Sequence, residues 1–255
     1  MTNFSEKFVL SSHKLVDLLC YPKFCSDEYQ SRISELRSLK IKFVILEGPT
    51  VLNSVHIIGK GNEGLVLKVR DFSSNTMAVK IRRTDSCRIT MENEFNFYKY
   101  VNLHNIGPNA YLHTKNILLM ECIEGLSARK WFFSPTTKLD LVRRVIIDIL
   151  SQCYKLDMMG IDHGQLNKLD NHVIISADGS KCTIVDFESA SRQRKVNNVT
   201  SALQGLIFKG PISRQVNSIL NYDNKQSELL SLLSIYKHEK CRKNFDSILS
   251  LIKCS

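Results

Sequence analysis

The sequence predicts an α+β protein. Helical spacing marks residues 1–40, strand-like runs broken by turns mark 41–121, and helical spacing dominates again over 122–255. Three observations carry this. Leu15, Leu18 and Leu19 cluster ahead of Tyr29, Ile33 and Leu36 at i, i+3/i+4 steps. Short runs rich in β-branched residues then alternate with Gly, Pro, Asn and Asp from Lys42 onward. Finally, Val142, Val145, Ile146, Ile149, Leu150 and Cys153 form one apolar helical stripe.

Element by element, Ser26 is the expected cap of the helix that carries Tyr29, Ile33 and Leu36, and Tyr21-Pro22 separates it from the preceding cluster. Phe43–Leu46 reads as a strand ended by Gly48-Pro49. Val55–Ile58 leads into a glycine-rich turn, and Leu65–Val69 leads out. Met77–Ile81 is the next strand, after the turn 71–75, so the region reads as an antiparallel meander. A helix over Glu92–Val101 and a strand over Ile117–Met120 follow. Ser134-Pro135 reads as a helix start, with Ser as cap and Pro in the first turn. Val173–Ile175 and Thr183–Val185 read as strands around Ala177-Asp178-Gly179, and helical patterns recur at Leu203–Ile207, Leu229–Ile235 and Phe245–Ile252. No internal repeat is present.

Composition narrows the classes. With 43% hydrophobic and 24% charged residues the chain reads as an ordinary globular protein. No apolar run approaches the roughly 18 residues of a membrane span. The start, Met1–Glu6, lacks a charged-then-apolar leader pattern. The eight cysteines contain no C-x-x-C pair, which argues against a zinc ribbon and for buried thiols in a reducing cytoplasm. The net charge of +10 suits nucleotide phosphates, acidic protein or RNA and does not choose among them.

Three motifs gain meaning from their order. Gly59-x-Gly61-x-x-Gly64 precedes a strand, Leu65–Val69, rather than a helix. That disfavours a Rossmann turn and favours a hairpin tip laid over phosphates, where side chains would hold the backbone off the ligand. Lys80 closes the apolar run Met77-Ala78-Val79 and needs an anionic partner. Glu94 is the candidate because Phe95, Phe97, Tyr98 and Val101 form an apolar face behind it; Glu92 is the rival. Asp186, in Val185-Asp186-Phe187-Glu188, is a carboxylate placed to hold a metal. Cradle, cation and carboxylate together are what phosphoryl transfer needs, and they are expected to converge on one triphosphate.

With these motifs go Arg82-Arg83-Thr84-Asp85 and Arg88, Gly107-Pro108, Leu119-Met120-Glu121-Cys122-Ile123-Glu124-Gly125 and Asp162-His163-Gly164-Gln165-Leu166. Together they resemble the archaeal predicted serine/threonine protein kinases, an atypical protein-kinase-like family related to the RIO and KEOPS-complex kinases. The resemblance spans about residues 15–210. It implies a bilobal protein-kinase-like fold: a small antiparallel β N-lobe at 41–121, a reduced helical C-lobe at 122–255, and a helical N-terminal extension at 1–40.

It also implies an ATP- and Mg2+-dependent transferase acting on a protein substrate, itself or another. Gly59, Gly61, Gly64, Val66, Ala78 and Lys80 would surround the nucleotide. Met120 would stand at its back, and the backbone of Glu121–Ile123 would meet adenine. Asp186 and Asn171 would hold the metal, with His172 matching Asn171's place better by its distance from the strand at Val173. Gln165 replaces the family's catalytic aspartate. An amide has no useful pKa for general-base work, although it can orient a hydroxyl. Asp162 and Asp170 are nearby substitutes, and His163 reads as a loop brace. Arg82, Arg83 and Arg88 read as pairing with Glu92 or Asp85 slightly ahead of meeting phosphate.

Glu188 stands where the family has glycine, as in small-molecule kinases. The stretch Ser189–Lys195 runs straight on, with no long activation segment and no A-P-E motif. Two alternatives therefore stay open: a pseudokinase or ATP-binding switch with a ribosome- or tRNA-related partner, and a small-molecule kinase.

Overall fold

The computed structural model describes residues 6–10, 12, 15–135, 138–220 and 222–253. The first five residues and Cys254 lie outside them. The chain is α+β and divides into two compact units, one of residues 1–102 and 108–123, the other of 103–107 and 124–255.

The first unit is built on a seven-stranded antiparallel sheet. Its strands are β1 (Glu6–Val9), β2 (Ile41–Leu46), β5 (Gly59–Lys60), β6 (Gly64–Asp71), β7 (Thr76–Arg82), β8 (Ala110–His113) and β9 (Ile117–Glu121). The order is β1-β2-β6-β7-β9-β8, with β5 also pairing β6. A separate hairpin joins β3 (Thr50–Leu52) to β4 (Val55–Ile57). Strand β7 lies between β6 and β9, so residues 78–82 are all buried.

Alternation along the strands gives the sheet two distinct faces. Leu65, Leu67, Val69, Val79, Ile81, Ile117 and Leu119 share one apolar core with Leu15, Leu18, Leu19, Ile33 and Leu36. The latter come from α1 (Val16–Leu19) with its cap Leu15, and from α2 (Ser26–Ser38). The helices within residues 1–40 are therefore not an extension beside the sheet: they supply part of its core, and Glu6–Val9 add a strand to its edge.

Polar groups lock this arrangement. Glu35 on α2 accepts from Asn116 N at 2.8 Å, from Asn116 Nδ2 at 2.6 Å and from the Thr114 hydroxyl. Fully buried Arg32 reaches Glu28 at 3.0 Å and the Leu19 carbonyl. The cap of α2 is Cys25 rather than Ser26, whose hydroxyl turns to Asp27 at 3.3 Å. Asp27 and Glu28 in the first turn complement the helix dipole instead.

The second unit is mainly helical. Helix α5 (Leu139–Met158) buries the expected stripe Val142, Val145, Ile146, Ile149, Leu150 and Cys153. Ser134-Pro135 does not start it: Lys138 is the cap, and a shorter helix, α4 (Ala128–Phe132), precedes it, capped by Ser127. Strands β10 (Leu126–Ser127), β11 (Val173–Ile175) and β12 (Cys182–Ile184) form an antiparallel sheet. Around it lie α6 (Leu169–His172), α7 (Asn198–Leu203), α8 (Pro211–Leu220), α9 (Gln226–His238) and α10 (Arg242–Lys253).

The Asp157 carboxylate is the polar node of this unit. It accepts from Asn198 N and Nδ2, both at 2.8 Å, and from the Tyr236 hydroxyl at 2.9 Å. It thereby ties the end of α5 to α7 and α9. No helix among the described residues is long and apolar enough to cross a membrane. Cys153 and Cys182 are buried, as their neighbours in the sequence suggest, and burial raises both thiols.

Candidate functional site

In the first unit, cross-strand register collects the expected nucleotide-contacting residues on the face of the sheet away from the apolar core. Val66 pairs with Lys80, Lys80 with Leu118, and Ala78 with Met120. Directly paired residues project to the same side, so these five share a face. Glu121 pairs with Met77, and its carboxylate accepts from Asn109 N at 3.1 Å and Nδ2 at 2.9 Å. Ile123 is half-buried just beyond the strand.

Lys80 is 4% exposed and Glu94 1%. The Lys80 ammonium donates to Glu94 Oε1 at 2.8 Å, while Arg88 Nη1 takes Oε2 at 3.0 Å. Glu94 is thus bracketed by two cations, and Glu92, one helical position off the inward face of α3 (Glu92–Asn102), stays exposed. Two positive charges thus share one buried carboxylate.

The glycine-rich tip is held from below. Gly61 N donates to Gly64 O at 2.8 Å to close the turn. Arg83 donates from its amide to Glu63 O at 2.8 Å and from Nη1 to Gly61 O at 3.2 Å, and its guanidinium is paired with Asp85. Arg83 is therefore a brace for the tip. Arg82 likewise turns inward, to Asn116 Oδ1 at 2.9 Å. The three glycines are not equivalent. A Cβ at Gly59 would meet open space, whereas one at Gly64 would stand 3.0 Å from Ile81 O and 3.1 Å from Lys80 Cγ. Gly64 is what lets β6 lie close over the lysine stem.

In the second unit, α6 and the end of β12 build a different cluster. Val185 N donates to His172 O at 2.9 Å, which sets Asp186 beside the end of α6. Asp186 has φ 70° and ψ 68°, a left-handed conformation that costs a non-glycine residue about 1–3 kcal/mol. Its Oδ2 lies 3.7 Å from His172 Nδ1. His172 is buried, and Asn171 is exposed.

His163 is fully buried. Its ring packs edge-on against His172 and Phe187, with centroids at 5.5 and 4.9 Å, and its Nε2 lies 3.1 Å from Val185 O. Burial, reinforced by the neighbouring His172, pushes its pKa down to about 4. A neutral imidazole that donates from Nε2 to Val185 braces the loop, as the sequence suggests. Its Nδ1 is then a buried acceptor with no hydrogen-bond partner among the described residues.

Gln165 donates from Nε2 to the Ser189 hydroxyl at 3.0 Å. The Asp162 backbone forms a reciprocal bridge with Ser191, and its carboxylate accepts from Arg194 Nε at 2.8 Å. Arg194 also reaches the carbonyls of Asp162 and Ser189. Asp170 is half-buried near the start of α6. Neither Asp162 nor Gln165 faces open solvent alone; both are stapled to the strip that follows Asp186.

No family model matches the chain. Over 104 residues, which are 40% of this chain and 84% of the relative, it is 33% identical to Uncharacterized protein MJ1211 of Methanocaldococcus jannaschii. This chain belongs to the MJ1211 family.

In this member of the MJ1211 family, two contributors to the site escaped the sequence. Arg88 was read as a partner of Glu92 or Asp85, and it meets Glu94 instead. Arg194, in the stretch Ser189–Lys195, engages Asp162. His172, directly before β11, is buried beside Asp186, while Asn171 is exposed.

Proposed function

We propose that this chain is an ATP-dependent phosphotransferase of the atypical protein-kinase-like kind, acting on a protein serine or threonine, its own or another's. The observation that carries the reading is the buried Lys80–Glu94 pair. It stands on the sheet face that also bears Val66, Ala78, Leu118 and Met120, next to the glycine tip. A buried lysine held by one carboxylate, with a second cation on that carboxylate, is suited to the α- and β-phosphates of a nucleotide. The glycine amides suit the same ligand.

Each side chain then has a role. Glu94 aims the Lys80 ammonium, and Lys80 offsets phosphate charge. Gly64 keeps the tip low. Asp186 would hold a divalent cation, which would supply charge neutralisation to the transferring phosphoryl group. Gln165 orients the acceptor hydroxyl without removing its proton, so turnover is slow by the ~10²–10⁴-fold that a general base contributes. Phosphoryl transfer leans on positioning and electrostatics, which is why an amide at this place is compatible with activity.

A second reading is favoured by the Asp162–Arg194 pair. With Asp162 engaged by a guanidinium and an amide at position 165, the chain would bind ATP and change partner affinity without transfer. The net charge of +10 would suit a ribosome- or tRNA-related partner. The seven described cysteines form no disulfide with one another, which fits a cytoplasmic home for either reading.

The test is calorimetric binding of an ATP analogue, with radiolabel transfer from γ-labelled ATP, on wild type, Lys80→Met and Gln165→Asp. The phosphotransferase reading expects binding that Lys80→Met weakens at least about tenfold, and transfer that Gln165→Asp raises by about 10². Binding without any transfer, in both wild type and Gln165→Asp, selects the switch. Absence of nucleotide binding rejects both.

A further inference from the structure

We propose that Tyr21 is a positioning residue for the glycine-rich tip: its ring clamps the tip from behind through Lys60 and Arg83, and so sets the cradle that a nucleotide meets. The effect on nucleotide affinity rests on the phosphotransferase reading; the clamp itself rests on contacts within the first unit.

Lys60 is the one cation inside the glycine motif, and its direction decides its role. In β5 it pairs with Leu65, and Leu65 pairs with Ile81 on β7. Both partners belong to the apolar core. Directly paired residues project to the same side of a sheet, so Lys60 leaves the tip on the face opposite Val66 and Lys80. Its ammonium stands 4.8 Å from the centre of the Tyr21 ring. The Arg83 guanidinium carbon stands 5.1 Å from the same centre. Both distances lie within the roughly 6 Å over which a cation is drawn to a ring face. Lys60 is therefore a handle on the back of the tip rather than a phosphate ligand.

Tyr21 is itself held in place, half-buried against the same core. Thr84 donates from its amide to Tyr21 O at 2.8 Å, and its hydroxyl lies 3.1 Å from that oxygen and 3.2 Å from Cys20 O. The turn after α1 is thus pinned by its backbone to the loop between β7 and α3, independently of the ring. That loop also holds the tip. Arg83 reaches Glu63 O and Gly61 O, and the Ser86 hydroxyl donates to the Glu63 carboxylate. Farther along it, Arg88 shares Glu94 with Lys80.

One ring therefore joins three segments that are distant in the chain: the turn at 20–25, the tip at 59–64 and the loop at 83–88. The tip needs such a tie. Its glycines let the backbone approach a ligand closely, and the same freedom lets the tip wander when nothing holds it. A clamp on the back face restrains the tip without occupying the face that meets phosphate. Two cation–ring contacts of the strength found at exposed sites correspond together to about 5–30-fold in the population of the held tip.

The experiment follows hydrogen exchange of the amides at 60–64 in the full chain without nucleotide, and calorimetric binding of an ATP analogue with Mg2+. Both are run on wild type, Tyr21→Leu, Tyr21→Phe and Lys60→Met. Expected for Tyr21→Leu are exchange faster by about 5–30-fold and analogue affinity weaker by a similar factor. Tyr21→Phe keeps the ring face and should stay within about twofold of wild type in both. Lys60→Met should move both readouts the same way by a smaller factor, and should add nothing to Tyr21→Leu in the double variant. Unchanged exchange in Tyr21→Leu overturns the clamp, as does a Tyr21→Phe protein that behaves like Tyr21→Leu. Faster exchange with unchanged affinity overturns the positioning role. Where Tyr21→Leu fails to fold, Lys60→Met decides: weaker binding without faster exchange makes Lys60 a phosphate ligand and overturns the proposal. If exchange responds as expected and wild type binds no nucleotide, the clamp stands and the phosphotransferase reading falls. If wild type binds nucleotide and exchange does not respond, the reverse holds.

Discussion

Lys80 and Glu94 meet at 2.8 Å inside the first unit, and Arg88 shares the same carboxylate at 3.0 Å. The triad is asymmetric. Removing Glu94 takes the shared carboxylate from two cations, one of them buried, whereas removing Lys80 leaves Glu94 with Arg88. Glu94→Ala should therefore destabilise by about 3–5 kcal/mol, and Lys80→Met by clearly less. Urea unfolding of both variants checks the order; equal losses would mean that Arg88 does not stabilise Glu94.

The glycine tip gives a sharper contrast. Gly59→Ala adds a methyl to open space and should stay within about 0.5 kcal/mol of wild type. Gly64→Ala pushes on Ile81 O and on the Lys80 stem, so it should cost about 1–3 kcal/mol and weaken ATP binding as well. Thermal melts with nucleotide titrations separate the two. Equal behaviour would remove the close approach at Gly64 from the account.

Glu35 joins α2 to the turn before β9 through both donors of Asn116 and the Thr114 hydroxyl. Asn116 is 1% exposed, so Glu35→Ala leaves buried donors unmet and should cost about 1–3 kcal/mol. A denaturant midpoint within error of wild type would contradict this.

Burial pushes the Asp157 carboxyl above its ordinary range, against the lowering pull of Asn198 and Tyr236. A folded pKa above the unfolded one stabilises most below the unfolded value of about 3.9, and that stabilisation is lost as pH rises through the folded value. Asp157→Asn abolishes this titration. The stability difference, wild type minus variant, should accordingly shrink as pH is raised from about 3.5 to 7. Urea unfolding at three pH values measures it; a difference that grows with pH would refute the burial argument.

Much of the first unit was legible because its signals are local. Val66, Ala78, Lys80 and Met120 sit in apolar runs with period-two spacing, so register alone brings them to one face. Glu94 was separable from Glu92 by the apolar face behind it. Arg88 was not, because its partner is fixed by how the 83–91 loop folds rather than by spacing. The strand Glu6–Val9 was missed because four residues without a turn signal carry no period. Helix α8 was missed although Pro211 opens it and Ile212, Val216 and Leu220 recur every fourth residue. The Asp157 node joins residues 41 and 79 positions apart in the chain, a distance that no sequence window spans.

The strand Glu6–Val9 also bears on how the chain tolerates shortening. Cutting at residue 40 would strip β2 of its neighbour and take Leu15, Leu18, Leu19, Ile33 and Leu36 from the core. The remnant would present a bare row of amide and carbonyl groups beside uncovered apolar side chains. Such an edge recruits a second copy of itself, so the trimmed fragment would meet its own kind and precipitate before it met any ligand.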